Sequence, residues 1–137
     1  MQARRAPARV IVMTRVAAPK ALVLVEDSDG GDIPLLVAGR LVAASPTCIA
    51  IGCASSAETE VAVGGLGLTS ATTAQPAFDG RLATPSRKVA VRTVSGVTLM
   101  EVTVPTTETR VLVSTNAPTE PTELTIGVER AGSGVAR

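Results

Sequence analysis

The chain has 137 residues, a formal net charge of +1 and 45% hydrophobic residues, so one globular domain is expected. Phe78 is the one aromatic residue, and His, Trp and Tyr are absent. The absence of His removes the commonest general base and the commonest metal ligand, which excludes most enzyme chemistries. We therefore expect a non-catalytic protein that needs no cofactor.

The first residues of the chain are basic, and residues 1–8 predict a flexible tail. The apolar run over 10–13 is too short for a signal peptide or a membrane span, and the charges of Arg15 and Lys20 prevent its extension. No aromatic side chain lies nearby to stack on bases, which argues against a nucleic-acid partner. We expect a cytoplasmic protein that does not bind membranes, with a folded domain over 9–129 and a second tail over 130–137.

Apolar and polar residues alternate along most of the chain, and no segment keeps an apolar stripe at helical spacing. Val, Ile and Thr dominate the alternating runs, and their branched side chains favour extended backbone. Strands are expected near 9–16, 20–27, 47–53, 59–63, 87–95, 97–104, 109–115 and 122–129, with a further short strand near 40–44. About seven to nine short strands predict an all-β domain, either an antiparallel β-sandwich or a small barrel.

Gly and Pro mark the connections between these runs. Ser95-Gly96 separates two alternating runs and predicts a hairpin over 87–104 with a two-residue turn. The two prolines in 116–121 predict a loop, and 64–86 is expected to be the least regular part, with a turn at Asp79-Gly80. A helix over 33–45 is the alternative for that segment.

Four acidic residues lie at and beyond the end of the second predicted strand: Glu26, Asp27, Asp29 and Asp32. A calcium loop of the EF-hand type fails here, because Gly31 and Asp32 stand where that motif needs an acidic residue and a glycine. A weaker calcium site built from a looser Asp loop stays open as an alternative. We interpret the stretch as a solvated turn whose carboxylates contact a partner.

The two cysteines, Cys48 and Cys53, have neither the spacing nor the companion ligands of a zinc site. Their opposite parity places them on opposite faces of a strand, about 16 Å apart when extended, far beyond a disulfide. We expect reduced cysteines, with Cys53 on the face of Ile49 and Ile51, and Cys48 on the face of Ala50. That second face is so small that another segment or a partner chain is expected close against it.

Glu101 lies in the middle of a predicted strand. Turned inward, it would be a buried carboxylate and a candidate for acid–base chemistry. We favour an ordinary pairing across the hairpin with Arg92 or Lys88, because opposite charges on neighbouring strands stabilise sheets.

Two stretches of the chain, "RLVAASPTCIAIGCASSAETEVAVG" at 40–64 and "RKVAVRTVSGVTLMEVTVPTTETRVLVSTN" at 87–116, contain several predicted strands. The order of these strands resembles that of the competence protein J family. The members of that family are small bacterial β-rich proteins, and they include an inhibitor of a DNA-entry nuclease. The resemblance implies an enzyme inhibitor that acts through a protein surface, and it transfers no site residues.

Two classes of function fit these observations. The first is an inhibitor or immunity-type protein, which would place its acidic residues in the basic active site of a partner. The alternative is a structural assembly subunit, such as a phage decoration protein. A core of small aliphatic side chains buries little area, and self-association into a homo-oligomer would add to it.

Overall fold

The computed structural model describes residues 10–34, 40–55, 57–67 and 75–129, so the predicted tails at 1–8 and 130–137 lie outside the described residues. The first five strands are β1 (Val10–Val16), β2 (Leu22–Asp27), β3 (Val42–Ser45), β4 (Cys48–Gly52) and β5 (Thr59–Gly64). The others are β6 (Gln75–Ala83), β7 (Lys88–Thr93), β8 (Thr98–Thr103), β9 (Glu108–Thr115) and β10 (Glu123–Val128). A short 3-10 turn over Pro19–Ala21 leads into β2.

The strands form two five-stranded sheets, which confirms the all-β prediction and gives a sandwich-like fold. The first sheet has the order β1-β5-β10-β9-β6 and the second has the order β3-β4-β2-β7-β8. All pairs are antiparallel except β5 with β10, a parallel pair that the prediction did not include. Parallel pairing needs a long crossover, and the chain between β5 and β10 supplies it.

One apolar cluster joins the inner faces of both sheets, which accounts for the alternation seen in the sequence. Its largest fully buried side chains are aliphatic: Ile49, Ile51, Leu82, Leu124, Ile126, Val23, Val25, Val61, Val63, Val89, Val91 and Val104. Burying each such side chain contributes roughly 1.5–3 kcal/mol. In the part of the chain that the structure describes, no helix is long and apolar enough to cross a membrane.

The predicted hairpin is β7–β8, and its loop is one residue longer than expected. The backbone N–H of Thr93 donates to the carbonyl of Val97 at 2.9 Å, and that of Gly96 donates to the carbonyl of Thr93 at 3.0 Å. Gly96 has φ +98°, the left-handed conformation that closes three-residue hairpin loops. The glycine was therefore the right signal, and the two-residue turn was wrong.

Strand β6 contradicts the turn predicted at Asp79-Gly80. Both residues lie within the strand, where they pair with Leu112 and Val111 of β9. A Cβ on Gly80 would lie 2.6 Å from the Cζ atom of the Phe78 ring, so the glycine makes room for the ring and does not form a turn. As for the alternative helix over 33–45, its last residues form β3, and 35–39 lie outside the described residues.

Candidate functional site at the acidic loop

The predicted partner-binding residues lie where β2 ends, β3 turns into β4 and β7 begins. The backbone N–H of Ser28 donates to the carbonyl of Lys88 at 2.8 Å, and the N–H of Asp32 donates to Thr47 Oγ1 at 2.8 Å. The acidic loop, which comprises residues 28–32, is therefore attached to β7 at one end and to the β3–β4 turn at the other.

The buried side chain of Asp27 holds the start of the acidic loop by hydrogen bonds. Its side chain is buried, with the residue 1% exposed. Its carboxylate accepts hydrogen bonds from the N–H of Asp29 (2.9 Å), the N–H of Ser86 (3.0 Å) and the hydroxyl of Ser86 (2.8 Å). Its carbonyl accepts the N–H of Gly30 at 2.8 Å, which closes a turn. Asp27 thus joins the loop to the segment that precedes β7.

Glu26 and Arg92 form a mostly buried ion pair beside the loop. Arg92 Nη1 lies 2.9 Å from Glu26 Oε2, and the Arg92 and Glu26 side chains are 17% and 9% exposed. The same guanidinium donates to the carbonyls of Asp27 (3.3 Å) and Ser28 (2.6 Å) and to Thr98 Oγ1 (3.0 Å). The planar fork of arginine suits several acceptors at once. Arg92 therefore balances the charge of Glu26 and also holds the backbone that enters the loop.

The far end of the loop is packed against the β3–β4 turn. The Ser45 hydroxyl donates to the carbonyl of Asp32 at 2.6 Å. A Cβ on Gly31 would lie 2.1 Å from the carbonyl oxygen of Thr47, so only glycine fits this close backbone approach. Gly30 has φ +101°, which also favours glycine. The turn is exposed to solvent, as the sequence predicts, and its hydrogen-bonded conformation also requires the two glycines.

The structure divides the four predicted partner-binding residues into two pairs. Glu26 and Asp27 are buried and engaged in internal hydrogen bonds, while Asp29 and Asp32 are exposed. The alternation of residues along the sequence does not distinguish the two pairs. Glu26 and Asp27 are buried by neighbours in and before β7, which is distant in the sequence. A partner can therefore reach Asp29 and Asp32 directly, and Glu26 and Asp27 only through the loop that they support.

Glu101 adds a third exposed carboxylate to this surface. It lies on β8, is exposed and accepts a hydrogen bond from the Ser28 hydroxyl. The predicted pairing with Arg92 or Lys88 is wrong: among the ion pairs of the described residues, the partner of Arg92 is Glu26. The register places Ala90 opposite both Glu26 and Glu101. Arg92 pairs with the buried carboxylate of Glu26, which is costly to leave unpaired, while the carboxylate of Glu101 is exposed to solvent.

Both cysteines are free and buried, as predicted. Cys53 packs in the main core with Ile49 and Ile51, and Cys48 packs on the other face of β4 with Leu24 and Ala50. Burial raises the pKa of the Cys48 thiol to about 12, and the nearby carboxylate of Glu26 adds to the shift. At neutral pH Cys48 therefore holds its proton and offers no thiolate nucleophile.

The acidic loop has an arrangement that can serve recognition. Within the described ranges, no three Asp, Glu or Cys side chains converge to hold a metal ion. The loop instead presents negative charge on a backbone that several hydrogen bonds hold in place. Such a surface can complement a positively charged protein, because it needs little ordering on contact.

The sequence matches no family model and no curated protein. Among solved structures, the chain is similar to the crystal structure of ComJ from Bacillus subtilis, an inhibitor of the DNA-degrading activity of NucA. The likeness covers 92% of this chain and 100% of that chain, with a TM-score of 0.69 and 7% sequence identity. It confirms, at the level of the fold, the resemblance to the competence protein J family. The chain shares with this nuclease inhibitor its fold, and at this identity the fold is what the likeness establishes.

Proposed function

We propose that this protein is a non-catalytic inhibitor of a DNA-degrading enzyme and that it acts through protein–protein contact. The observation that carries the proposal is the likeness of the whole fold to ComJ, an inhibitor of the DNA-degrading activity of NucA. The acidic loop adds support, because its exposed carboxylates, joined by the hydrogen-bonded Glu101, have the chemistry of a recognition surface.

The negative charge of this surface is complementary to the DNA-binding cleft of a nuclease. An enzyme that degrades DNA binds a polyanion, and it does so through Lys and Arg side chains in its cleft. A protein with complementary negative charge is steered to the same cleft and excludes DNA from it. We assign the direct contacts to Asp29 and Asp32, which are exposed, and the support of their loop to Glu26 and Asp27.

The two free cysteines are consistent with a reducing compartment, where disulfides are rare. We therefore propose the cytoplasm as the place of action, where an inhibitor would protect DNA from a nuclease made in the same cell.

The test is inhibition of DNA degradation by purified Bacillus subtilis NucA, with a second nuclease that has a basic cleft assayed in parallel. The wild-type chain is expected to slow degradation of duplex DNA in proportion to its concentration. Reversing both exposed charges, Asp29→Lys with Asp32→Lys, should weaken inhibition by at least about tenfold, because like charges then meet in the cleft.

The matched control reverses two exposed acidic residues elsewhere, Glu58→Lys with Glu123→Lys, and so changes net charge equally. This control is expected to inhibit nearly as well as wild type. Wild-type chain that inhibits neither nuclease overturns the proposed function. Inhibition that the loop reversal leaves intact overturns the assignment of the contacts to Asp29 and Asp32.

A further inference from the structure

We propose that Arg92 is a positioning residue that holds the acidic loop in its binding conformation before any partner arrives, an inference that rests on the proposed function. Arg92 lies on β7, an interior strand of the second sheet, and so belongs to a rigid part of the fold. Its side chain reaches the loop from there. The proposal concerns how the loop is held, since Arg92 itself is mostly buried.

Three side chains hold the first half of the loop. Arg92 binds the carbonyls of Asp27 and Ser28, Asp27 binds the N–H of Asp29, and Glu101 accepts from the Ser28 hydroxyl. Of the three, Arg92 joins the loop entry to the largest set of other groups, because its remaining donors bind Glu26 and Thr98. Loss of the Arg92 guanidinium would remove the hydrogen bonds to the carbonyls of Asp27 and Ser28, and it would leave the carboxylate of Glu26 without a counter-charge.

A loop that is ordered in advance binds faster than one that must be ordered on contact. When only a fraction of molecules hold the binding conformation, the apparent affinity falls to that fraction of its intrinsic value. If loss of the Arg92 fork leaves the loop in place about a tenth of the time, association slows about tenfold. Dissociation changes less, because the Asp29 and Asp32 carboxylates are intact in the bound state.

The sign of the effect separates positioning from simple electrostatics. Arg92→Gln removes a positive charge and makes the protein more negative. Electrostatic steering alone then predicts faster association with a basic nuclease. Positioning predicts slower association, so the two explanations predict opposite changes in one rate constant. The matched control is Arg110→Gln, which removes the same charge from an exposed ion pair on the other sheet.

The experiment combines hydrogen exchange of the free protein with binding kinetics to NucA. Wild type, Arg92→Gln, Arg92→Lys and Arg110→Gln are compared. In both Arg92 variants we expect faster exchange at the amides of Asp29 and Gly30, with the strand amides still protected, and association slowed about fivefold to tenfold. Arg110→Gln should leave loop exchange unchanged and association unchanged or slightly faster.

A further variant keeps the test valid if the Arg92 variants fail to fold. Thr47→Val removes the hydroxyl that accepts the N–H of Asp32 and leaves the buried ion pair intact, so it loosens the loop from its far end. It is expected to slow association in the same direction, by about twofold to fivefold.

Three outcomes would overturn a claim. Folded Arg92 variants with wild-type loop exchange overturn the proposal. Faster loop exchange with an association rate that holds or rises also overturns the proposal. The proposed function then stands if Asp29→Lys with Asp32→Lys still weakens inhibition. If NucA and the second nuclease bind none of the proteins, the proposed function fails. In that case hydrogen exchange still tests Arg92: unchanged loop exchange in the Arg92 variants would show that Arg92 does not hold the loop.

Discussion

Among the arginine–carboxylate pairs of the described residues, two have the same closest distance and very different surroundings. Arg92–Glu26 in the second sheet and Arg110–Asp79 in the first both have an N–O distance of 2.9 Å. The side chains are 17% and 9% exposed in the first pair, and 44% and 58% exposed in the second. Distance alone therefore does not rank ion pairs, and the value of each depends on what else the charges touch.

The surroundings explain the difference. Arg110 Nε and Nη2 meet the two carboxylate oxygens of Asp79 at 3.1 and 2.9 Å, and water can replace both contacts. Arg92 donates to three further acceptors, and its partner Glu26 lies beside the buried thiol of Cys48. Removing one member of a buried pair leaves a charge with neither a counter-charge nor water around it. In an exposed pair, water solvates the charge that remains.

The largest expected effect is the loss of the buried arginine. Arg92→Met should lower the free energy of unfolding by about 3–5 kcal/mol, because the Glu26 carboxylate is left buried without a counter-charge. Urea unfolding followed by circular dichroism measures it. The double variant Glu26→Leu with Arg92→Met should recover much of the loss, since an apolar pair needs no compensation. If Arg92→Met lowers the free energy of unfolding by less than about 1 kcal/mol, the Arg92–Glu26 pair contributes no more than an exposed pair, and its burial makes no difference.

Two glycines beside the two pairs give the next effect. Gly31→Ala places a Cβ 2.1 Å from a backbone carbonyl of Thr47, which cannot move alone, so we expect a loss of about 1–3 kcal/mol in urea unfolding. Gly80→Ala meets the ring of Phe78 at 2.6 Å, on an edge strand where the ring can rotate away. It should cost less than Gly31→Ala, and an equal or larger cost would show that the edge near Asp79 is as rigid as the acidic loop.

The same two regions show which parts of the fold can be predicted from sequence. Alternation located β7, β9 and β10, because one face of each meets the shared core. It missed β6, where Asp79-Gly80 is typical of a turn. The strand is stabilised there by residues about thirty positions away: β9 supplies the pairing, and Arg110 binds the Asp79 carboxylate. Propensity read along the chain does not contain those neighbours.

The acidic site was predictable in composition and unpredictable in exposure. Glu26, Asp27, Asp29 and Asp32 form one run of charge in the sequence, and the structure buries the first two. Their burial depends on Arg92 and Ser86, more than fifty residues along the chain, which arrive with β7. The sequence marks Glu101 as a candidate, but its exposed position beside Ser28 follows from the order of the strands in the sheet.

The smallest expected effect is the loss of the exposed pair. Hydrogen bonds from Arg110 lower the pKa of Asp79 below its ordinary value of 3.8, so the pair stabilises the fold above that pH and its contribution is lost as the pH falls further. Asp79→Asn should therefore show a slight loss of stability at pH 7 in low salt, and the loss should shrink as the pH falls below that ordinary value. In 1 M NaCl, where the screening length is about 3 Å, the difference at pH 7 should nearly vanish. A deficit that survives high salt, or that approaches the loss in Arg92→Met, would mean that Asp79 does more for β6 than its exposed ion pair accounts for.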